Sequence, residues 1–367
     1  MKKILCTLLC LVLCVCALAS CGDPVLGDVP PSYEPHRPKP IEKITLNMYI
    51  ICGDETTENA KITVATRIAQ ETVDKFNTNL VVHYVTAANY ASVLEEKTAA
   101  GAEDRADIVL IDSKATFNKL KDADLLTDLT SYYEGTAYGK LNVSINSELL
   151  KMSKVDGKLY TVPNNHLFGE YEYIKIDVDV ATRYYKSPQT IAENYTTPES
   201  IEELKELIAN DSYYDGRNAD DLVCVVSGKY EDKAMYEAQG FYCNISKYPV
   251  ATEEDAFSSA FAIIKGANAD RAMEIIYDIN GASYKSAEKA ELRNLLQYGI
   301  LGTNYLVNTA DDVDDIDPFT TGNNVYSMNL AHTGDVFKAS FSSKIGWTEE
   351  VYNNVKKQLD DASKHAE

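Results

Sequence analysis

The sequence predicts a two-lobed α/β fold, and three observations carry that prediction. Between Ile44 and Ile111 the chain alternates strand-like and helix-like stretches, an order that yields a parallel sheet with helices on both faces. Roughly 325 residues follow the N-terminal segment, more than one core ordinarily serves. Near the middle, Val155 to Asn165 reads as a crossover between lobes. Asp156-Gly157 is a two-residue turn signal, Lys158 to Val162 a short strand, and Pro163 stops that strand before Asn164 and Asn165. Amide groups delivered to a domain boundary suit a ligand cleft, although the same pattern also fits a plain hairpin inside one domain.

The chain opens with Lys2 and Lys3, an apolar run from Ile4 to Ala17, and Leu18-Ala19-Ser20-Cys21-Gly22. A basic start, an apolar stretch too short to span comfortably and small residues before a cut site define an export signal over residues 1–20. The order Leu-Ala-Ser-Cys resembles the bacterial lipobox, which makes Cys21 the lipid-modified N-terminus. Residues 21–41 then hold six of the eleven prolines, the composition of a semi-rigid spacer. Five of the eight cysteines fall in or at the end of the signal, leaving Cys52, Cys224 and Cys243. An odd number gives no complete disulfide framework and no metal-ligand spacing. A Cys224 to Cys243 bridge and two buried thiols on neighbouring strands both remain open.

In order, the pattern predicts a strand at Ile44–Ile51, a helix at Glu58–Asn77 with Val64, Ile68 and Val73 inward, a strand at Leu80–Val85, a helix at Ala88–Ala100 and a strand at Asp107–Ile111. Ligands of such sheets sit beyond the carboxyl ends of the strands, which selects Asp54, Glu55 and Asp112. A carboxylate at a helix start is equally an ordinary cap. Tyr171 and Tyr173 stand at strand spacing and share one side. Thr197-Pro198 opens a helix, strands are predicted at Leu222–Val226 and Phe241–Ile245, and Ala260–Ile264 returns to the first lobe. A helix at Ala269–Asn280 follows, and another closes the chain from Thr348 to Ala366. The acidic run Asp311 to Asp317 lacks the ligand pattern of a calcium loop and reads as a solvated loop.

Composition is globular, at 45% hydrophobic and 25% charged, and the formal charge of −21 argues against nucleic-acid partners. Histidine pairs with metal spacing, a Gly-x-Ser-x-Gly elbow and a phosphate loop are all missing from the sequence, so the chain reads as a non-enzyme with no cofactor. With 25 tyrosines, aromatic platforms for sugar rings are plentiful. Tyr49, Tyr171, Tyr173, Tyr242 and Trp347 are the ones placed near strand ends or in the tail, each also readable as core.

The lipobox, the spacer, Ala106-Asp107-Ile108-Val109 to Asp112, Leu125 to Leu129, and Asp156-Gly157-Lys158-Leu159-Tyr160-Thr161-Val162-Pro163 together resemble the extracellular solute-binding lipoproteins of bacterial ABC importers, carbohydrate-type. The likeness continues in Arg271 to Tyr277, Asn294 to Tyr305 and Thr333-Gly334-Asp335-Val336-Phe337, with Trp347 beyond. It implies a type II periplasmic-binding-protein-like fold, with lobe 1 at 42–162 plus 260–308 and lobe 2 at 163–259 plus 309–367, each a mixed sheet flanked by helices around a hinge. It further implies a monomer that is lipid-anchored on the outer face of the cytoplasmic membrane and hands a sugar or oligosaccharide to ABC permease subunits. The candidate ligand residues are those selected from strand ends, the crossover and the tail: Asp54, Glu55, Asp112, Asn164 and Asn165 for hydrogen bonding, with Tyr171, Tyr173, Tyr242 and Trp347 as platforms. One departure is the second lobe, which is shorter after Ile201 than the family pattern. An extracellular enzyme acting on glycans and a binding lipoprotein serving sensing or adhesion are the rival readings.

Overall fold

The computed structural model describes residues 42–135, 138–185, 197–281, 291–310 and 313–366, so the export segment, Cys21 and the linker, with Asp311 and Asp312, lie outside the described residues. The chain enters on β1 (Ile44–Cys52), whose last five residues are all buried, as befits a strand covered on both faces. Helix α1 (Glu58–Phe76) starts where the Thr57 side chain accepts from the Ala60 amide and stops at Asn77, whose φ of 50° is left-handed. Asparagine tolerates that conformation and turns the chain at once into β2 (Thr78–Thr86). Next come α2 (Ala87–Thr98), the wholly buried β3 (Ile108–Ile111) and α3 (Lys114–Asp122), capped by Ser113.

Short helical turns at Thr130–Glu134 and Leu141–Ser144 lead to α4 (Ser147–Met152) and a hairpin of β4 (Lys154–Val155) and β5 (Lys158–Leu159). Asp156 and Gly157 both have positive φ, 53° and 76°, the geometry of a tight primed turn. Strand β6 (Thr161–Pro163) follows directly. The central stretch is therefore a hairpin and a crossover in succession, because the second sheet begins immediately afterwards.

That sheet is built from β7 (Tyr171–Asp177), β8 (Val223–Gly228) and β9 (Phe241–Lys247), with β7 in the middle. Helices α5 (Val178–Tyr185) and α6 (Pro198–Ala209) lie between β7 and β8, and α7 (Asp232–Ala238) between β8 and β9. Both pairings are antiparallel, where a mixed sheet was expected. Cys224 and Cys243 each stand opposite Lys175, on the two flanks of β7. Two strand spacings, about 10 Å, separate such positions, beyond disulfide reach. Both are free thiols, as is Cys52, and they lie on strands separated by β7 where neighbouring strands were expected.

After α8 (Glu253–Ser258) the chain returns on β10 (Ala260–Ile263). The first sheet runs β2-β1-β3-β10-β6, with β1 parallel to β2 and β3 and with β10 reversed between β3 and β6. Ala260 stands opposite Ile111 on one side and Pro163 on the other, so the ends of β3 and β6 and the start of β10 share one edge. Helices α9 (Ala269–Ile279) and α10 (Glu291–Tyr298) complete the packing. The acidic run is no solvated loop among the described residues. It forms β12 (Val313–Pro318), paired with β11 (Tyr305–Ala310). There Asp315 accepts from the Ser343 amide and hydroxyl, and Asp317 pairs with Lys344.

Two buried clusters result. The smaller joins Ile174, Ile176 and Val180 to Ile201, Leu204 and Val223. The larger contains the first sheet and also Tyr326, Met328, Val336, Trp347, Val355 and Leu359, so the tail expected in lobe 2 packs with lobe 1. The apolar stripe of α11 (Glu349–Lys364) faces the first sheet's core. Its polar residues hold the start of the second sheet: Gln358 Nε2 donates to the carbonyls of Phe168 and Gly169 at 3.1 and 2.7 Å, and Tyr171 donates to Asp361 at 2.8 Å. Phe261, wholly buried on β10, stands opposite Leu110 and Val162. Phe261→Ala should cost about 3–5 kcal/mol in denaturant unfolding, and a loss below about 1 kcal/mol would contradict this placement.

Candidate functional site

The site grows from the carboxyl edge of the first sheet and from the segment laid across it. Residues 325–337 have little regular structure, so their backbone groups need partners from elsewhere. Helix α10 supplies them. Arg293 is wholly buried; its Nε donates to the Asp335 carbonyl at 3.0 Å and its Nη2 to the Leu330 carbonyl at 2.6 Å. One turn on, Gln297 Nε2 donates to the Met328 carbonyl at 3.0 Å and Oε1 accepts from the Thr333 hydroxyl. Held in this way, the segment forms a strap along the edge. Gly53 N donates to the Ser327 carbonyl at 2.9 Å, Ser259 Oγ and Asn164 Nδ2 to the Ala331 carbonyl at 2.6 and 3.1 Å, and Asn165 Nδ2 to Asp335 Oδ2 at 2.9 Å. Gly334, at φ 123°, leaves no room for a Cβ, which would meet Ile279 at 2.7 Å. Burial lowers the Arg293 guanidinium to about 10. Burial likewise raises the Asp335 carboxyl to about 6, against hydrogen bonds from the Phe337 amide and the Asn165 side chain.

Beneath the strap, Asp54 and Glu55 are exposed in the loop after β1. A hydrogen bond from the Ser327 hydroxyl lowers the Glu55 carboxyl. Glu55, Gln297, Tyr298, Tyr326 and Lys344 help line a cavity of about 240 Å³. Asp112, half-buried at the end of β3, accepts from Thr116 Oγ1 at 2.6 Å through Oδ1. Burial lowers the His332 imidazole on the strap, against the opposing charge of Asp112. His166 Nδ1 lies 2.7 Å from the Asn164 carbonyl. A carbonyl only accepts, so Nδ1 carries the proton and Nε2 accepts from the Ser258 hydroxyl 3.0 Å away. Burial lowers His166 as well. Among the described residues no group of three His, Cys, Asp or Glu side chains could hold a metal.

Four of the residues selected from sequence, Asp54, Glu55, Asp112 and Asn164, do come to this one edge. Asn164 is nevertheless fully buried, its amide nitrogen already donating to Ser259 Oγ and the Ala331 carbonyl. Asn165 faces a different cavity of about 630 Å³, shared with Asp335, Lys338, Tyr352 and Lys356. The aromatic platforms are elsewhere. Tyr171 and Tyr173 stack at 5.4 Å and are 1% exposed, their hydroxyls donating to Asp361 and to the Lys229 carbonyl. Tyr49 is 2% exposed and stacks on His83. Tyr242 packs against the smaller core. Trp347 is 4% exposed against Phe337 and Tyr352, so its ring is a packing element and offers no free face. Sequence patterning missed Arg293, Gln297, His166, Ser258 and His332. Gly334 before Asp335 was the one local signal of a constrained turn there.

An α/β chain that builds one sheet, crosses out at Pro163 to build a second and returns at Ala260 has the periplasmic-binding-protein-like fold of solute-binding proteins. The N-glycan transport solute binding protein (NgtS) of Streptococcus pneumoniae shares it, with TM-score 0.54 and 16% identity over 87% of this chain and 83% of that one. Its complex with Man1GlcNAc gives 0.52 and 16% over 87% and 84%, and that with Man5GlcNAc 0.52 and 17% over 87% and 83%. No protein-family model and no curated protein sequence matches the chain. Among the described residues no helix is long and apolar enough to cross a membrane.

The Asp335 carboxyl titrates near 6 when folded, above the ordinary value of about 3.9. The folded state therefore binds more protons between those values, and this group's contribution to stability is full below about pH 4 and lost as pH rises through 6. Asp335→Asn removes that dependence. From pH 4 to 7 the variant's unfolding free energy should rise relative to wild type by up to about 3 kcal/mol. Parallel stability curves for the two proteins would refute the assignment.

Proposed function

We propose that the chain is a lipid-anchored extracellular solute-binding protein that captures a sugar or oligosaccharide for an ABC importer, binding without turnover. The observation that supports this most is the fold shared with a solved glycan-transport binding protein over 87% of the chain. Two further features agree with it. Carboxylate, amide and imidazole groups gather at the carboxyl edge of the first sheet, where open α/β folds bind ligands, and the two sheets meet at extended crossovers, the architecture of hinged closure. The carrier role is that of a monomer delivering to permease subunits, tethered through Cys21 and the proline-rich spacer.

Calorimetry against a panel of neutral oligosaccharides that includes Man1GlcNAc and Man5GlcNAc tests the reading, with the glycans recovered and analysed afterwards. Saturable binding with every glycan intact is expected, together with a smaller radius of gyration by small-angle scattering, because a ligand touching both lobes shifts the population toward the closed form. Cleaved products would establish an enzyme instead. An unchanged radius at saturation would reject closure. Anchoring is tested separately: Cys21→Ala should abolish lipid labelling and release the protein from cells, and a variant still fully labelled would sink that part of the proposal.

A further inference from the structure

The loop after β1 is fastened to the start of the strap. Gly53 N donates to the Ser327 carbonyl and Thr57 N to the Val325 carbonyl, while Thr56 Oγ1 donates to the Ser327 carbonyl at 2.9 Å and accepts from its amide at 3.1 Å. This sets the Glu55 carboxylate beside the Ser327 hydroxyl: a Cβ added at Gly53 would meet Ser327 Oγ at 2.9 Å and Glu55 Oε2 at 3.0 Å. Glu55 lines the cavity of about 240 Å³ together with Tyr298, Phe319, Tyr326 and Met328, a volume below that of sites for drug-sized ligands. The Tyr298 and Tyr326 hydroxyls are committed to the Ser340 and Leu296 carbonyls at 2.6 and 2.8 Å, which leaves their rings to form the wall. Gln297 is likewise engaged, by Met328 and Thr333. Of the charged residues on the lining, Lys344 pairs with Asp317, and Glu55 has no ion-pair partner among the described residues. The Ser327 hydroxyl lowers its carboxyl, so the cavity keeps one uncompensated negative charge beside aromatic rings.

We propose that this cavity is a second binding site, which takes a small ligand bearing a primary ammonium group, from either an amino sugar or an aliphatic amine. The ammonium pairs with Glu55 and lies against the rings, and a cation gains from both contacts at once. An anion is opposed by the same carboxylate, and a neutral hydroxyl can donate to it but draws nothing from the rings' negative faces. The formal charge of −21 enriches cations around the whole body. The site stands apart from the crossover. Glu55 follows β1 while Asn164 follows β6, three places away in the sheet, roughly 14 Å at the usual strand spacing, so the proposal does not depend on the glycan-carrier reading.

Calorimetry on the full mature chain compares two amines with their uncharged counterparts, glucosamine with N-acetylglucosamine and cadaverine with pentanediol. At least one amine should bind saturably, about tenfold or more tightly than its counterpart, and whichever binds identifies the source of the ammonium. Glu55→Gln keeps the shape of the side chain and should bring the amine down to its counterpart's affinity. Gly53→Ala, whose new Cβ displaces the carboxylate, should weaken the amine about threefold or more. Glu203→Gln, at an exposed position on α6, removes the same charge elsewhere and should change nothing. Thermal melts confirm that the variants fold. Absence of saturable amine binding into the millimolar range, or equal binding of amine and counterpart, overturns the site. So does an affinity unmoved in folded Glu55→Gln, or an equal loss in Glu203→Gln, the sign of diffuse attraction to an acidic body. Binding of neutral oligosaccharides is measured separately, so each of these outcomes leaves the carrier reading to its own test.

Discussion

The structure depends on one buried cation. A guanidinium removed from water is costly unless its donors are met, and Arg293 meets them with the carbonyls of Asp335 and Leu330 and the Gln297 side chain. The dependence runs in both directions. Those carbonyls otherwise take only short local bonds, from the Lys338 amide and the Thr333 hydroxyl, so the guanidinium helps an irregular segment to lie packed over a sheet edge. The strap in turn pairs with Gly53, Asn164, Ser259 and Asn165. The positions of the loop after β1, the end of β6 and the start of β10 thus all refer back to a side chain on α10.

Much of the fold was legible because its determinants are local. Thr57 and Asn77 bracket α1, Thr348 starts α11, and Asp156-Gly157 turns the β4–β5 hairpin. Pro163 and Ala260 mark the excursion to the second sheet. What was not legible depends on contacts between distant residues. Period-two spacing puts Tyr171 and Tyr173 on one side of β7 but does not reveal that Asp361, 190 residues later, covers that side. The same reason hid the membership of Trp347 and Leu359 in the larger core, since an apolar stripe does not say which sheet it meets. At the edge, His166 and Ser258 lie 92 residues apart, and no spacing rule connects them.

Two covalent connections leave the first sheet for the second, after β6 and before β10, and α11 provides a third link through side chains. Its apolar residues belong to one core while Gln358 and Asp361 hold the entry to the other sheet. Any change in the angle between the sheets must therefore either carry α11 as a lever or break its bonds to Phe168, Gly169 and Tyr171. The hinged closure proposed for the chain would need ligand contacts that outweigh these hydrogen bonds.

The reversed strand β10 bears on how the chain comes to be folded at all. It sits between β3 and β6, yet its residues are made roughly a hundred positions after β6, a long loop to close before the pairing is rewarded. Residues 171–247, by contrast, hold a complete three-stranded sheet with a core of its own. During synthesis the second sheet can form while β3 and β6 still expose unpaired edges, which attract other chains. Until Ala260 pairs, those edges lack the partner that blocks edge-to-edge association.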